Sequence, residues 1–321
     1  MCLRRLVRVI VGVVPALMMV RTAAPAQAVE ADPAVQPAAF LKAPEFDEPL
    51  MPATAGDDNV IYRLVHRLIP GDEPERPPPC DVSSPGPDTA NFPNSPYTLP
   101  KGRSYIECDP GTFSLPGADG TPGTWSWPFL IRTGITDSCE LRLFSQGPTV
   151  VQSTATSRAF DGFAPLAFDI KMHLWGEPDQ MWLPAVGIEV FVLTGIASKP
   201  FIVGVEPAVA LLVDHRLPGD WLLEWNVGCY GTGGNGIPDI LSLPNFGMQW
   251  ALQKQLTERV AVFYTGFYNA AGVPFFPADL VSGFGGQWNV TQRLAVYGSY
   301  SWSLDRKGSP SGGSSGFTYA F

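Results

Sequence analysis

The sequence predicts an all-β protein: a transmembrane antiparallel β-barrel of about twelve strands, preceded by a disordered N-terminal leader rich in proline and acidic residues. Three observations predict this class. Most strand-like runs have about 9 to 13 residues, the length that a tilted strand needs to cross a bilayer. Bulky apolar residues alternate with small or charged ones within the runs, and short connections alternate with longer ones. The predicted runs are 98–109, 123–133, 137–147, 162–175, 181–194, 202–214, 220–231, 245–255, 258–269, 277–289, 292–303 and 314–321.

The composition is compatible with a membrane barrel and excludes one large class of function. Only 16% of the 321 residues are charged, against roughly 25% in a typical soluble domain. The net charge of −9 provides no positive field for nucleic acid, so DNA or RNA binding is not expected. A large soluble all-β protein would share the low charge, the 33 glycines and the 12% aromatic content, so composition alone leaves both possibilities open.

The first 28 residues have the order of a secretory signal peptide. Arg4, Arg5 and Arg8 form a basic region, an apolar stretch follows at 9–20, and Ala26-Gln27-Ala28 supplies a small-x-small cleavage site. About twelve apolar residues are too few for a helix to cross the bilayer. We therefore predict cleavage after Ala28, export from the cytoplasm and location in the outer membrane.

Residues 29–90 differ in composition from the rest of the chain. Proline and acidic residues dominate, as in PERPPPC at 74–80, and such a segment cannot bury enough apolar surface to fold alone. Within it, apolar residues at helical spacing predict a short helix at 57–69. This helix would either dock weakly or act as a partner-binding or pore-plugging element. The barrel domain is predicted to occupy residues 91–321.

The two faces of the predicted strands differ in polarity. In FDIKMHLW at 168–175, the even-numbered residues are bulky and apolar, whereas Asp169, Lys171 and His173 lie between them. This is the apolar-out, polar-in alternation of a membrane barrel. A soluble sandwich shows the same alternation with its bulky face inward, so strand length and aromatic residues at strand ends favour the membrane. The candidates for the lumen face are Glu140, Arg142, Asp169, Lys171, His173, Glu189, Glu206 and Glu224.

Charges inside such a barrel require partners, so acidic and basic side chains are expected to bridge the interior. A barrel of about twelve strands is wider than the eight-stranded type that side chains fill. It could hold a narrow path that the leader or loops partly block. The alternative is a filled lumen that conducts nothing.

The connections predict which rim each strand end occupies. Short connections such as GITD at 134–137 and RLPG at 216–219 alternate with long ones such as SQGPTVVQSTATSRAF at 145–160. Outer-membrane barrels have short turns on the periplasmic rim and longer loops outside. With both termini on the short-turn side, the strand number must be even.

The C-terminal sequence SSGFTYAF predicts the closing strand. Phe317, Tyr319 and Phe321 share one face, which we expect to contact lipid. In hydrocarbon every backbone N–H and C=O must pair, so the last strand should pair with the first. Such a terminus also resembles the signal read by the bacterial barrel-insertion machinery. Outer-membrane lipid and this machinery are the expected partners.

Motifs for other chemistry are weak. No GxSxG nucleophile elbow, zinc spacing or cofactor motif occurs, so no catalytic residue, metal or cofactor is predicted, and the chain is not expected to be an enzyme. Cys80 and Cys108 could form a disulfide in an exported protein, whereas Cys139 and Cys229 are expected to pack as small apolar residues.

Two stretches resemble a known family. The segment DTANFPNSPYTLPKGRSYIE at 88–107 is similar to the opening of a family named for the meta-pathway of phenol degradation and often labelled "transporter". The later LIRTGITDSCELRLFSQG is similar to a second conserved stretch of that family. The matching residues are Asp88, Asn94, Ser95, Pro96, Thr98, Pro100, Gly102, Glu107, Leu130, Arg132, Gly134, Thr136, Asp137, Glu140, Leu141 and Arg142; Thr89-Ala90 replaces the usual Arg-Pro.

The resemblance covers roughly residues 88–321. It implies an outer-membrane barrel that takes up small hydrophobic or aromatic compounds, and we expect a channel or transporter for small molecules. Two alternatives remain open at this stage. The chain could be a structural or adhesive surface barrel without transport, or a soluble secreted all-β protein.

Overall fold

The computed structural model describes residues 81–117, 120–176, 183–202, 204–230, 245–269, 279–304 and 311–321. The predicted signal peptide, the predicted helix at 57–69 and Cys80 lie outside these ranges. Within them, no helix is long and apolar enough to cross a membrane.

Twelve antiparallel strands form the wall of a closed barrel, which confirms the predicted fold class and strand number. The sheet closes because its first strand, Ser104–Cys108, pairs with its last, Gly312–Ala320, with Tyr105 opposite Ala320 and Cys108 opposite Phe317. The wall consists of β1 (Ser104–Cys108), β4 (Phe129–Thr136), β5 (Cys139–Ser145), β8 (Ala167–Trp175), β9 (Ala185–Leu193), β10 (Glu206–Leu217), β11 (Trp221–Tyr230), β12 (Asn245–Gln255), β13 (Val260–Asn269), β14 (Asp279–Asn289), β15 (Leu294–Ser303) and β16 (Gly312–Ala320).

Four short strands continue β1, β4, β5 and β8 of the wall. A short break in the regular strand separates each of them from the wall strand that it continues. They are β2 (Thr112–Ser114), β3 (Thr124–Ser126), β6 (Pro148–Val151) and β7 (Phe160–Phe163). β2 pairs with Gly312 and Gly313 of β16, whose later residues pair with β1, so β2 continues β1 beyond a bulge. Hydrogen bonds cross the break, as from the Asp109 N–H to the Pro128 carbonyl at 2.9 Å. A 3-10 helix, Lys199–Phe201, lies between β9 and β10.

The bulky apolar face of the wall points outward. Phe168, Ile170, Met172 and Leu174 of β8 are all exposed, and Phe284 of β14 is 58% exposed. No second sheet packs against this face among the described strands, which form one sheet. An outer surface of this kind fits lipid and not water, so the soluble all-β alternative is wrong.

Short turns gather at one rim of the barrel. They connect β4 to β5, β10 to β11, β12 to β13 and β14 to β15. The first of these turns lies at 137–138 rather than at the predicted 134–137, because β4 continues to Thr136. At the same rim the Phe321 N–H donates to the Ser104 carbonyl at 2.9 Å, and the Val82 N–H donates to the Gln292 carbonyl at 2.7 Å. The C-terminus and the beginning of the described chain therefore lie at the short-turn rim, the periplasmic one in outer-membrane barrels.

The outward orientation of β8 predicts a cost for placing charge there. Ile170→Arg should lower the free energy of unfolding from lipid vesicles by about 2–4 kcal/mol, because a cation near the bilayer midplane is poorly solvated. Denaturant titration monitored by tryptophan fluorescence measures this change. Ser157→Arg, in an exposed loop, is the matched control and should change little. An equal stability of the Ile170→Arg protein and the control would contradict the lipid-facing placement.

Candidate functional site

Residues 81–103, which we call the inner segment, lie inside the barrel. Val82 and Leu99 are fully buried and pack with Tyr105, Ala295 and Ala320 of the wall. The packing is close, because a Cβ placed on Gly187 of β9 would lie 2.9 Å from the Pro96 carbonyl oxygen. Residues 81–90 were assigned to the leader from the sequence, and in the structure they belong to this segment.

Buried charges surround the inner segment on one side of the lumen. Five acidic and three basic side chains, each at most 4% exposed, form what we call the charge cluster. All but one belong to β1, β4, β5, β8 and β9, and the exception, Asp88, belongs to the inner segment. The members of the charge cluster are Asp88, Glu107, Arg132, Glu140, Arg142, Asp169, Lys171 and Glu189.

Arg132 connects three parts of the charge cluster. Its guanidinium makes a bidentate pair with Glu140, with Nε to Oε1 at 2.7 Å and Nη2 to Oε2 at 3.1 Å. Its Nη1 donates to Glu107 Oε1 and to the Gly86 carbonyl, both at 3.0 Å. The planar fork of arginine suits such simultaneous contacts. Arg132 thereby joins β1 and β5 to the inner segment.

Asp88 is the anion that the inner segment contributes. Its carboxylate lies 2.5 Å from Lys171 Nζ, 3.4 Å from Arg132 Nη1 and 3.5 Å from Arg142 Nη2. Burial alone would raise the pKa of Asp88, but the positive charges of Arg132, Lys171 and Arg142 outweigh it and hold the pKa at about 2. Asp88 therefore stays ionised at any physiological pH.

Backbone and amide groups of the inner segment complete the contacts with this side of the wall. The Glu107 carboxylate accepts from the Asp88 N–H at 3.0 Å and from the Thr89 N–H at 2.9 Å. The Leu99 N–H donates to Glu140 Oε2 at 2.8 Å, and Asn94 Nδ2 donates to Glu189 Oε2 at 2.7 Å. These bonds fix the path of the segment along the wall.

The inner segment makes fewer contacts with the opposite wall, and the groups that it contributes to them are uncharged. Asn91 Nδ2 donates to Glu224 Oε2 at 2.8 Å, and Ser95 Oγ donates to Asp214 Oδ2 at 3.2 Å. The Phe92 N–H donates to the Thr265 hydroxyl at 3.2 Å. The segment is therefore held by ion pairs on one side and by single hydrogen bonds on the other.

A cavity of about 920 Å³, which we call the vestibule, lies between part of the inner segment and β10–β14, beside the contacts just described. It is lined by residues of the β10–β11 and β12–β13 turns at the short-turn rim, and by Asn91 and Ser95 of the inner segment. Its charged lining residues are Asp214, Arg216, Asp220, Glu224, Glu258 and Arg259, and its amides include Gln253, Gln255, Gln287 and Asn289. The lumen is thus filled on one side of the segment and hollow on the other.

The lumen candidates predicted from sequence occupy different positions. Glu140, Arg142, Asp169, Lys171 and Glu189 belong to the charge cluster, and Glu224 is buried at the vestibule. His173 is half-buried; its Nδ1 lies 3.1 Å from the Pro96 carbonyl oxygen, and its ring stacks on Tyr97. Glu206 shares the inward face of β10 with the buried Ala208 and Ala210, but it is half-buried at the long-loop end, outside the charge cluster.

The remaining predicted residues lie on the outer surface or near it. Phe317 and Tyr319 are exposed, and the half-buried Phe321 packs its ring edge to face with Tyr319 at 5.1 Å between centroids. Cys108, Cys139 and Cys229 are free thiols; Cys139 is half-buried and Cys229 is exposed. The predicted pairing of Cys108 involves Cys80, which the structure does not describe.

Four central residues were absent from the sequence-based candidates: Asp88, Glu107, Arg132 and Asp214. The sequence does contain features that point to these four residues. Asp88, Glu107 and Arg132 match the family motif, and strand alternation places Asp214 two residues from the buried Leu212 on the inward face of β10. Sequence reasoning did not anticipate that the motif at 88–102 itself enters the lumen.

A closed twelve-stranded barrel with an apolar exterior and charged interior is an outer-membrane β-barrel. The family described as "Putative MetA-pathway of phenol degradation" matches residues 88–321, and the chain belongs to that family. This confirms the resemblance found in the sequence. Among curated proteins, none matches the chain.

A solved outer membrane channel shares the fold, and a porin is more distantly similar. An outer membrane channel from Pseudomonas putida F1 superposes with a TM-score of 0.51 and 10% identity, over 71% of this chain and 99% of that one. The KdgM porin in complex with disordered oligogalacturonate gives a TM-score of 0.45 and 9% identity, over 68% of this chain and 99% of that one. At this identity, the similarity to the channel concerns the fold alone.

The charge cluster predicts a large effect of removing its central cation. Arg132→Leu leaves Glu107 and Glu140 buried without their partner, so the free energy of unfolding should fall by about 3–5 kcal/mol. Denaturant titration in vesicles measures the loss. Arg158→Leu, at an exposed loop position, is the control and should cost less than about 0.5 kcal/mol. Equal stability of the two variants would show that the charge cluster contributes little.

The depressed pKa of Asp88 predicts a pH dependence with a definite sign. The ionised carboxylate stabilises the folded state, so its contribution is complete above the unfolded pKa of about 3.9 and is lost as the pH falls toward about 2. The stability difference between the wild-type protein and Asp88→Asn should be constant from pH 7 to 5. It should shrink by about 2 kcal/mol between pH 4 and pH 2. A difference that grows on acidification would refute this assignment.

Proposed function

We propose that this protein is a passive outer-membrane channel for small solutes, with the inner segment as its constriction. The vestibule carries the proposal. A cavity of about 920 Å³ extends from the short-turn rim to the inner segment, and residues of both line it. A segment bound across a pore can shift without unfolding the wall, because the backbone hydrogen bonds of the barrel do not depend on it.

The lining supports small polar or cationic solutes over wholly apolar ones. Amides and carboxylates are among its polar groups, with four acidic and two basic side chains. Such groups replace part of the hydration shell of a polar solute and attract cations. The uptake of hydrophobic or aromatic compounds, which the family resemblance implied, would require a hydroxyl or amine on the solute to meet these groups.

The geometry favours a channel over an enzyme. Asp169 and His173, which share one strand face, have separate partners: Asp169 lies 3.0 Å from Arg142 Nη1, and His173 contacts the Pro96 carbonyl. No nucleophile is hydrogen-bonded to His173 among the contacts of the described residues. A structural or adhesive barrel is the rival function. The vestibule is evidence against it, because neither role requires a hollow lumen.

Export and insertion belong to the same proposal. Residues 1–28 would direct export and be removed, and the exposed pair Phe317 and Tyr319 with the terminal Phe321 would engage the insertion machinery. Deletion of Phe321 should then reduce the amount of heat-modifiable barrel in outer-membrane fractions.

Conductance in planar bilayers tests the channel and its constriction together. Wild-type barrels should show a small conductance, and Asn91→Ala/Asn94→Ala should raise it, because both changes remove side-chain bonds between the inner segment and the wall. Ser153→Ala, at an exposed loop position, is the control. Liposome swelling with small sugars and amino acids provides a second readout.

The outcomes separate the two functions. Absence of conductance and swelling in the wild-type protein and in the double variant would reject the channel and favour the structural barrel. Conductance that is identical in both would retain the channel and reject the inner segment as its constriction.

Ion selectivity tests the vestibule lining. Glu224→Gln removes a buried negative charge from the vestibule wall, so the permeability ratio of K⁺ to Cl⁻ should fall. Reversal potentials in a salt gradient measure this ratio. Asp161→Asn removes the same charge from an exposed position on β7 and should leave it unchanged. Equal ratios in both variants would place Glu224 off the conduction path.

A further inference from the structure

The geometry points to a binding site for a divalent metal cation such as Ca²⁺ at the inner end of the vestibule, between Asp214 and Glu224. This site lies apart from the ion pairs of the charge cluster. It rests on the placement of these side chains and does not depend on whether the barrel conducts.

The two carboxylates are immediate neighbours on adjacent strands. Asp214 of β10 pairs directly with Glu224 of β11 in the sheet register. Residues directly opposite in an antiparallel pair have Cβ atoms about 5 Å apart. Both side chains are on the inward face, both are at least 94% buried, and both line the vestibule.

No basic side chain of the described residues forms an ion pair with either member of this pair. Among the described residues, the ion pairs of Lys171, the nearest cation of the charge cluster, are with Asp88 and Glu140, and neither Asp214 nor Glu224 forms one. Like charges directly opposite are destabilising, and a buried anion without a counter-charge is costly. Two adjacent carboxylates with a formal charge of −2 match the charge of one divalent cation.

An unpartnered atom provides the second observation. Asp214 is 98% buried, and its Oδ1 has no hydrogen-bond partner, whereas its Oδ2 accepts from Ser95. Buried carboxylate oxygens are ordinarily satisfied. A bound cation would satisfy Oδ1 and remove the repulsion from Glu224.

The surrounding groups match the ligand chemistry of a hard cation. Asn91 Nδ2 and Ser95 Oγ donate to the two carboxylates, so the Ser95 hydroxyl oxygen lies beside the pair, and the Asn91 amide presents its oxygen there only after it rotates. Ca²⁺ takes six to eight oxygen ligands from carboxylates, amides and water. No group of three or more His, Cys, Asp or Glu side chains suited to a metal occurs in the described ranges. Two carboxylates alone predict weak affinity, with a Kd of about 0.1–1 mM.

Equilibrium dialysis of the detergent-solubilised, full-length barrel against ⁴⁵Ca²⁺ tests the site without reference to transport. Wild-type protein should bind about one Ca²⁺ per barrel in a saturable manner. Asp214→Asn and Glu224→Gln should each raise Kd at least about tenfold. Asp161→Asn, an exposed acidic residue on β7, should bind as the wild-type protein does.

Heat-modifiable migration in detergent gels shows whether each variant is folded. Asn91→Ala is a second probe, because Asn91 belongs to the inner segment and its substitution leaves the wall unchanged. It should raise the Kd for Ca²⁺ by a smaller factor than Asp214→Asn or Glu224→Gln does. Binding that is equal in the wild-type protein, Asp214→Asn and Glu224→Gln, or no saturable binding up to about 10 mM Ca²⁺, would overturn the proposal. If the barrel binds Ca²⁺ here but conducts no ions, the cation site is supported and the proposed channel function is rejected.

Discussion

The enclosure of Asp88 by Arg132, Arg142 and Lys171 is the interaction on which the interior of this barrel depends. The wall places four carboxylates of its own beside these three basic residues: Glu107, Glu140, Asp169 and Glu189. Among the described residues, however, the other ion pair of Lys171 is with Glu140 at 4.0 Å, so Asp88 is its close partner. The backbone N–H groups of the inner segment also donate to Glu107 and Glu140, and the paired state of these buried charges therefore depends on the position of the segment.

This arrangement divides the lumen unequally. On the side of β4, β5 and β8, charges are paired and the space is filled. On the side of β10 and β11, the segment is held by single hydrogen bonds, Asp214 and Glu224 form no ion pair among the described residues, and the vestibule opens to the short-turn rim. A constriction that is anchored by ion pairs on one side and by single hydrogen bonds on the other should move first at the second side. The cation site proposed at Asp214 and Glu224 lies at this second side, where a bound ion would strengthen the attachment.

The sequence predicted the wall well and the interior poorly. Alternation in stretches such as 168–175 specifies which side chains face lipid, because the strand period of two is unambiguous, and closure follows from the need to pair every backbone group in hydrocarbon. The first predicted run, 98–109, was too long at its start, since residues 98–103 belong to the inner segment and β1 begins at Ser104. An irregular stretch such as DTANFPNSPYTL contains no local pattern that predicts binding inside a barrel. Its contacts with Glu140, Glu189 and Glu224 depend on side chains 40 to more than 130 residues away, which local patterns cannot pair.

A reversible covalent link between segment and wall tests the central claim most directly. The side-chain ends of Asn94 and Glu189 are 2.7 Å apart. Cysteines at both positions, with Cys80, Cys108, Cys139 and Cys229 replaced by serine, should therefore be bridged by a short bifunctional thiol reagent that contains a reducible disulfide and locks the segment in place. Single-channel conductance should be low in the cross-linked barrel and should rise when a reductant breaks the link. Equal conductance before and after reduction would contradict the account, because it would mean that solutes pass, or fail to pass, regardless of where the inner segment lies.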